Sequence, residues 1–315
     1  MHRLVSLVRL ALVVGVACSA AACGQIQKLQ AKSHFKDANL LYQQQDYRRA
    51  AEAYEEAIKA DPELTAAYFY LGNSYDNQYR PSRQGEPEND VLLEKAIANY
   101  RLAVEKETDP KMKKLSLEYL VAAYGPDKLN DPEQAEPLVE EMIALDPADV
   151  TNYFALAKIY EDAGRYDEAE EMLVKAKDNR PADPAVYMQL AGFYNRQGDF
   201  QKTIEALEMR AEREPNNPEA FYTIATYYWD KAYRDFRLAE PDKAKYAAAG
   251  LVAVDRAIEI NPDYMEAVTY RGLLLRVQAA LEKNPARQKD LLKEAEAMQA
   301  RAIELRKIKA AGVGD

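Results

Sequence analysis

The feature that most constrains this chain is an internal period. Pro147, Pro181 and Pro215 stand 34 residues apart, and the blocks between them superimpose. Tyr153-Phe154-Ala155-Leu156-Ala157-Lys158-Ile159-Tyr160 lies over Tyr187-Met188-Gln189-Leu190-Ala191-Gly192-Phe193-Tyr194. Gly164-Arg165-Tyr166 lies over Gly198-Asp199-Phe200, and Ala169-Glu170 over Thr203-Ile204. A fixed period of about 20–50 residues is the mark of a repeat array. Each block reads as two short amphipathic helices, neither of which buries its apolar face until the next pair stacks on it. Gly72, Ala96, Ala157, Ala169 and Ala191 are small where backbones are expected to approach closely. Gly164 and Gly198 suit helix ends that need a left-handed residue. Pro147, Pro181 and Pro215 end the second helices, because proline lacks the donor and clashes inside a helix.

The pattern of a bulky aromatic, Leu-Gly or Leu-Ala, Tyr, a Gly-Asp-Tyr-like turn, a small residue and a closing Pro resembles the tetratricopeptide repeat. Looser copies extend it. Residues 31–64 carry Asp46-Tyr47, Ala50, Tyr54, Ala57 and Pro62, and a second copy carries Tyr68, Leu71-Gly72, Tyr75, Ala96, Tyr100 and Ala103. Its turn is lengthened between Arg80-Pro81 and Asp90, and the stretch Glu86-Pro87-Glu88-Asn89-Asp90 reads as loop. A third copy runs from Leu117, Leu120 and Tyr124 to Ala135, Met142 and Pro147. A sixth runs from Phe221, Ile224-Ala225 and Tyr228 to Ala257 and Pro262, with its extra residues expected as longer helices around Lys231–Ala247. Gly272 opens a last hairpin, whose final helix carries the stripe Leu291, Ala295, Met298, Ala302 and Leu305 under a charged outer face, as a terminal cap should. The resemblance implies an all-α, right-handed superhelical solenoid of stacked hairpins over residues 31–309, six or seven in number, followed by a tail at 310–315.

Residues 1–22 have a different organisation. Arg3 and Arg9 precede the apolar run Leu10–Ala17 and the small residues Ser19-Ala20-Ala21-Ala22, the layout of a secretory signal peptide. The run to Ala22 is well short of the roughly 20 residues of a spanning helix. Cleavage after Ala22 leaves Cys23, then Gly24, and the segment resembles a bacterial lipoprotein signal, in which that cysteine receives a diacylglycerol. The resemblance implies a lipidated tether at 23–30 and, with Gly24 rather than Asp after the cysteine, the outer membrane facing the periplasm. Ala20-Ala21-Ala22 also suits an ordinary cleavage site that leaves Cys23 a free thiol, and Cys18, with Gly15 three residues before it, is the other candidate. The chain has only these two cysteines, so no disulfide framework is expected.

Removing residues 1–22 takes Arg3 and Arg9 away and leaves a formal charge of −12, against −10 for the whole chain. Such an acidic chain lacks the basic footprint of nucleic-acid binding and the charge to dock on anionic lipid, so membrane attachment is expected through the lipid alone. Beyond His2, His34 is the only histidine, read as solvated on the first helix. One histidine and one terminal cysteine leave no Cys-His or Ser-His-Asp arrangement and no histidine-rich zinc site. Glu55-Glu56, Glu140-Glu141 and Glu170-Glu171 read as solvated outer faces. No catalytic residue, metal site or cofactor is expected.

What the resemblance implies instead is binding, with a concave groove lined by the first helix of each hairpin. By register, its groove positions here are Phe35, Asn39 and Tyr42; Phe69, Asn73, Asp76 and Asn77; Phe154, Lys158 and Glu161; Met188, Asn195 and Arg196; Tyr222, Thr226 and Trp229. Asn39 and Asn73 match the amide that chaperone-binding members use, but Phe35 and Phe69 stand where those members have a lysine. The expected function is a non-catalytic scaffold or adaptor, lipid-anchored in the cell envelope, that takes peptides or helices of other envelope proteins. The rival is a cell-wall or glycan-processing enzyme, or its regulatory subunit.

Overall fold

The computed structural model describes residues 24–312. The signal segment 1–22, Cys18 and Cys23 lie outside the described residues. Within them the chain is fourteen α-helices and one 3-10 turn, with no strand. In chain order the helices are α1 (24–43), α2 (Tyr47–Ala60), α3 (Thr65–Asp76), α4 (Pro87–Lys106), α5 (Pro110–Tyr124), α6 (Pro132–Leu145) and α7 (Val150–Asp162), then α8 (Tyr166–Asn179), α9 (Pro184–Arg196), α10 (Phe200–Arg213), α11 (Pro218–Arg234), α12 (Glu240–Ile260), α13 (Met265–Leu281) and α14 (Pro285–Ala310). They divide into two compact units, one ending at Arg165 and the other beginning at Tyr166.

The punctuation works as local chemistry requires. Pro147, Pro181 and Pro215 each follow the last residue of α6, α8 and α10 by two positions. Two residues further on, Asp149, Asp183 and Asn217 cap the next helix, accepting the amides of Thr151, Ala185 and Glu219 at 2.9–3.0 Å. Such caps contribute about 1 kcal/mol each. Gly164 and Gly198 have φ of +73° and +77°. Around each, the amide of the next residue reaches back five positions, Arg165 to Tyr160 and Asp199 to Tyr194, closing a Schellman motif. The first hairpin makes the same turn without glycine: Gln45 has φ +61°, and the Asp46 amide reaches Leu41.

The close approaches are real. A Cβ on Gly72 would sit 2.8 Å from the Tyr100 ring and 3.1 Å from the Ala96 carbonyl. Ala96, Ala157, Ala169 and Ala191 are all buried. On α14, Leu291, Ala295 and Leu305 are buried, and Met298 and Ala302 half-buried. The extra residues of the sixth hairpin do form longer helices, α11 and α12.

Three expectations need correction. Glu86–Asp90 is not a loop: Pro87 opens α4, and the extension is shared between a 3-10 turn (Pro81–Arg83) and a 20-residue helix. Asn89, 3% exposed, organises it by accepting the Arg80 amide at 2.8 Å and donating to the Arg80 and Arg83 carbonyls. His34 is half-buried rather than solvated. Glu55 and Glu170 are not bare solvated carboxylates. Each accepts a phenol from the next helix along the chain, Tyr75 to Glu55 at 2.5 Å and Tyr194 to Glu170 at 2.8 Å. Tyr160 does the same to Glu136 at 3.1 Å. A cation closes each group: Lys95, Arg165 and Lys202 lie 4.8, 4.1 and 4.9 Å from the Tyr75, Tyr160 and Tyr194 ring centroids.

The opening aromatic of the first helices is tyrosine for an equally local reason. Tyr68, Tyr153 and Tyr187 donate to the carbonyls of Pro62, Pro147 and Pro181, each six residues back, at 3.1, 3.2 and 2.7 Å. The hydroxyl ties the first helix to the end of the preceding one while the ring fills the core. Tyr187→Phe is therefore expected to lower stability by about 1 kcal/mol with the helix content unchanged, as urea denaturation followed by circular dichroism will read.

Candidate functional site

In the second unit, α11 is one turn longer than α7 or α9, and the added turn, Lys231–Arg234, follows directly after Trp229 and Asp230. Residues 229 and 233 are one helical turn apart and share a face. The Trp229 and Tyr233 rings stack there, with centroids 5.0 Å apart and planes 14° from parallel. Tyr270 of α13 meets the Trp229 ring edge-on at 5.5 Å and the Tyr222 ring at 5.3 Å, and Tyr264 closes the cluster against Tyr222 at 5.5 Å. Burial pushes the Tyr222 phenol up to about 12. Beside this cluster runs a cleft of 490 Å³, lined by Trp229, Tyr233, Leu273, Val277 and Leu281, with Lys243 and Arg276 also on its walls. Arg276 donates to Gln299 at 2.8 Å. Trp229 is half-buried, with one face engaged by Tyr233. Thr226 turns its hydroxyl to the Thr223 carbonyl at 2.7 Å.

The structure thus brings Tyr222 and Trp229 together through Tyr270. Leu273 and Arg276 were missed by sequence reasoning, although the signal was present. They stand 47 residues after Thr226 and Trp229, the same offset that separates Pro262 from Pro215.

In the first unit the groove positions have another fate. Phe35, Tyr42, Phe69 and their neighbours Tyr54, Tyr70, Tyr100 and Tyr119 form a continuous set of rings with centroids 5.2–6.0 Å apart. Phe69 is 5% exposed and Asn73 2%. Asn73 accepts from the Tyr42 hydroxyl and from the Asn77 amide, and Asn39 accepts from Tyr54 at 2.6 Å. Asp76 is paired with Lys128 at 2.5 Å. Phe69 and Asn73 therefore belong to the packing of this unit, and the amides that sequence register placed in the groove are occupied within it. Tyr119 of α5 covers Phe69 edge-on at 5.2 Å.

The remaining positions are separate from both clusters. Phe154 is half-buried; Lys158 is exposed, paired with Asp162, and lines a second cleft of 430 Å³ with Tyr124, Ala155 and Ile159. Met188 is half-buried, and its sulfur receives the Arg210 guanidinium at 3.1 Å. Asn195 and Arg196 are exposed at the end of α9. Among the described residues, no three His, Cys, Asp or Glu side chains converge to hold a metal ion, and no helix is long and apolar enough to cross a membrane.

Comparison with known proteins agrees with this architecture. The tetratricopeptide repeat family matches at residues 35–110 and again at 128–192. No curated protein matches the sequence. Among solved structures, the C-terminal part of a TPR repeat-containing protein from Cytophaga hutchinsonii is 16% identical, covers 86% of this chain and 98% of its own, and superimposes with a TM-score of 0.56. A tetratricopeptide repeat protein from Parabacteroides merdae is 14% identical, covering 85% and 99%, with a TM-score of 0.46. YrrB, described as a TPR protein with an unusual peptide-binding site, is 18% identical, covering 60% and 89%, with a TM-score of 0.39. The first of these shares the fold at a level that sequence identity alone would not reveal. Residues 35–110 and 128–192 are thus tetratricopeptide repeats, within an all-helical chain whose architecture is TPR-like.

Proposed function

We propose that the chain is a non-catalytic adaptor that takes an apolar peptide or helix of a partner protein into the cleft beside Trp229. The observation that carries this reading is the combination of an apolar cleft of 490 Å³ with a half-buried tryptophan on its wall. Tryptophan, with tyrosine and arginine, is over-represented among residues whose truncation costs about 2 kcal/mol or more in binding. Tyr233, Leu273 and Val277 supply the surface on which an apolar side chain is desolvated, and Lys243 and Arg276 supply donors for a carbonyl or carboxylate. Trp229 is the only tryptophan in the chain, so its fluorescence reports occupancy of the cleft directly.

The test is affinity purification from crosslinked envelopes, followed by titration of the captured partner. Trp229→Ala, alone or with Tyr222→Ala, is expected to weaken binding by about tenfold or more, equivalent to about 1.4 kcal/mol, with little change in melting temperature. Intact binding with a collapsed melting temperature would show Trp229 to be a core residue.

The same proposal places the adaptor at the envelope, tethered through a diacylglycerol on Cys23. Support comes from the signal-like residues 1–22 and from Cys23 being the only thiol left after cleavage. Two acyl chains suffice for stable anchoring at about 0.8 kcal/mol per buried methylene. Cys23→Ser is expected to move the protein from the membrane fraction to the soluble one with its helix content intact. Unchanged membrane retention would refute the tether.

A further inference from the structure

A larger cleft of the second unit lies elsewhere. Its volume is 760 Å³, and it runs between α10 and α12, the second helices of two successive hairpins, with α11 as its floor. Helix α11 presents different faces to the two clefts. Tyr222, Thr226 and Trp229 follow the face described above, whereas Phe221, Ile224 and Tyr228 line this one. The walls are kept low by small residues, Ala211 on α10 and Ala249 and Ala253 on α12. Val252, at the edge, is 73% exposed. That is a contiguous apolar surface with no covering element in its own unit, and such surfaces mark interaction sites.

The charges around it are not balanced. Arg256 lies 5.8 Å over the Phe221 ring and is already paired with Glu259 at 3.0 Å. Glu212 pairs with the adjacent Arg213. Glu208 lines the cleft with its side chain still exposed, and among the described residues no hydrogen bond or ion pair engages its carboxylate. Its pKa is raised by desolvation against the apolar wall, with Glu205 and Glu212 adding to the effect. A carboxylate held in this way is stabilised by a cation brought alongside it, and desolvation by a docked apolar surface would strengthen the pairing.

We propose that the cleft between α10 and α12 is a second docking surface, independent of the Trp229 cleft, for a basic amphipathic helix of a partner protein. The apolar stripe of that helix lies on Phe221, Ile224, Tyr228 and Val252, and a lysine or arginine beside the stripe pairs with Glu208. An acidic or neutral helix would leave Glu208 buried and unpaired, so the surface discriminates by charge as well as by shape.

The probe that tests this is a fluorescein-labelled helical peptide of about four turns, with leucines at i, i+3 and i+7 flanked by lysines. Two companions share its length: one with glutamates replacing the lysines, and one with the same composition in scrambled order. Anisotropy titrations use the full chain, wild type and the surface variants Glu208→Lys and Val252→Asp, beside Trp229→Ala, with a melting curve on each. The lysine peptide is expected to bind the wild type at least about tenfold more tightly than either companion, and each of the two surface variants to weaken it by about tenfold. Trp229→Ala should leave its affinity within about twofold. Equal binding of the scrambled peptide would reduce the effect to net charge and overturn the proposal, as would absence of binding. Loss of binding in Trp229→Ala but not in Glu208→Lys would also overturn it, by placing the peptide in the Trp229 cleft, and would leave the adaptor reading standing.

Discussion

Truncating Tyr100 to alanine is expected to cost about 3–5 kcal/mol, the range seen when a large buried aromatic is lost. The side chain is fully buried at the centre of the first unit. Its ring lies against Gly72, whose lack of a Cβ makes room for it, and meets Phe69 at 5.9 Å and Tyr119 at 5.5 Å. Its hydroxyl donates to Asp76 at 3.3 Å. Because the ring packs in part directly on the Gly72 backbone, which has no side chain to move in, the space refills poorly. In a repeat array each hairpin is stabilised by its neighbours alone, so the loss should be local. Limited proteolysis is expected to cut the variant first within residues 24–165. Tyr100→Phe, which removes only a long hydrogen bond, should cost about 1 kcal/mol or less. A Tyr100→Ala protein destabilised no more than Tyr100→Phe would mean that this core rearranges freely.

How far the fold was legible follows from which constraints are local. Pro147, Pro181 and Pro215 end helices by covalent geometry, and Gly164 and Gly198 sit where φ is positive, so both signals can be read without knowing what packs where. Gln45 makes the same turn at φ +61° with nothing in its identity to announce it. The phenol–carboxylate pairs were invisible because Tyr75 and Glu55, or Tyr194 and Glu170, are 20 and 24 residues apart on different helices. Only the stacked geometry turns an apparently solvated glutamate into a partner. The candidate site shows the same division. Register correctly put Phe69 and Trp229 on first helices, but register says nothing about the next hairpin. Tyr119 and Tyr100 close over Phe69, whereas α13 offers Trp229 the edge of Tyr270 and leaves the cleft lined by Leu273 and Val277 open.

The abundance of tyrosine has a further consequence at high pH, where the chain is expected to unfold cooperatively rather than titrate smoothly. Burial pushes the Tyr160 and Tyr222 phenols up to about 12, and Tyr54, Tyr75, Tyr100 and Tyr194 are also raised, chiefly by burial. For Tyr75, Tyr160 and Tyr194 the accepting carboxylates of Glu55, Glu136 and Glu170 add to the rise, because a phenolate there would face an anion. In the unfolded chain a phenol titrates near 10. A folded-state pKa above the unfolded one contributes stability that is complete below pH about 10 and is lost as pH rises through 10 towards 12, where the unfolded state sheds protons that the folded state keeps. Each such group adds a slope of up to about 1.4 kcal/mol per pH unit, less where the hydroxyl still touches solvent. Several acting together offset a large part of a typical stability of about 5–15 kcal/mol within that window. Phenolate absorbance and far-ultraviolet circular dichroism, recorded on one alkaline titration, should show a steep late rise in phenolate coincident with loss of helix. Glu136→Gln weakens the acceptor of the Tyr160 hydroxyl and removes the ion partner of Arg165, so it destabilises the folded state while the phenol is still protonated and is expected to move that step to lower pH. A gradual phenolate curve complete before any helix is lost would show that these hydroxyls are not held by the fold.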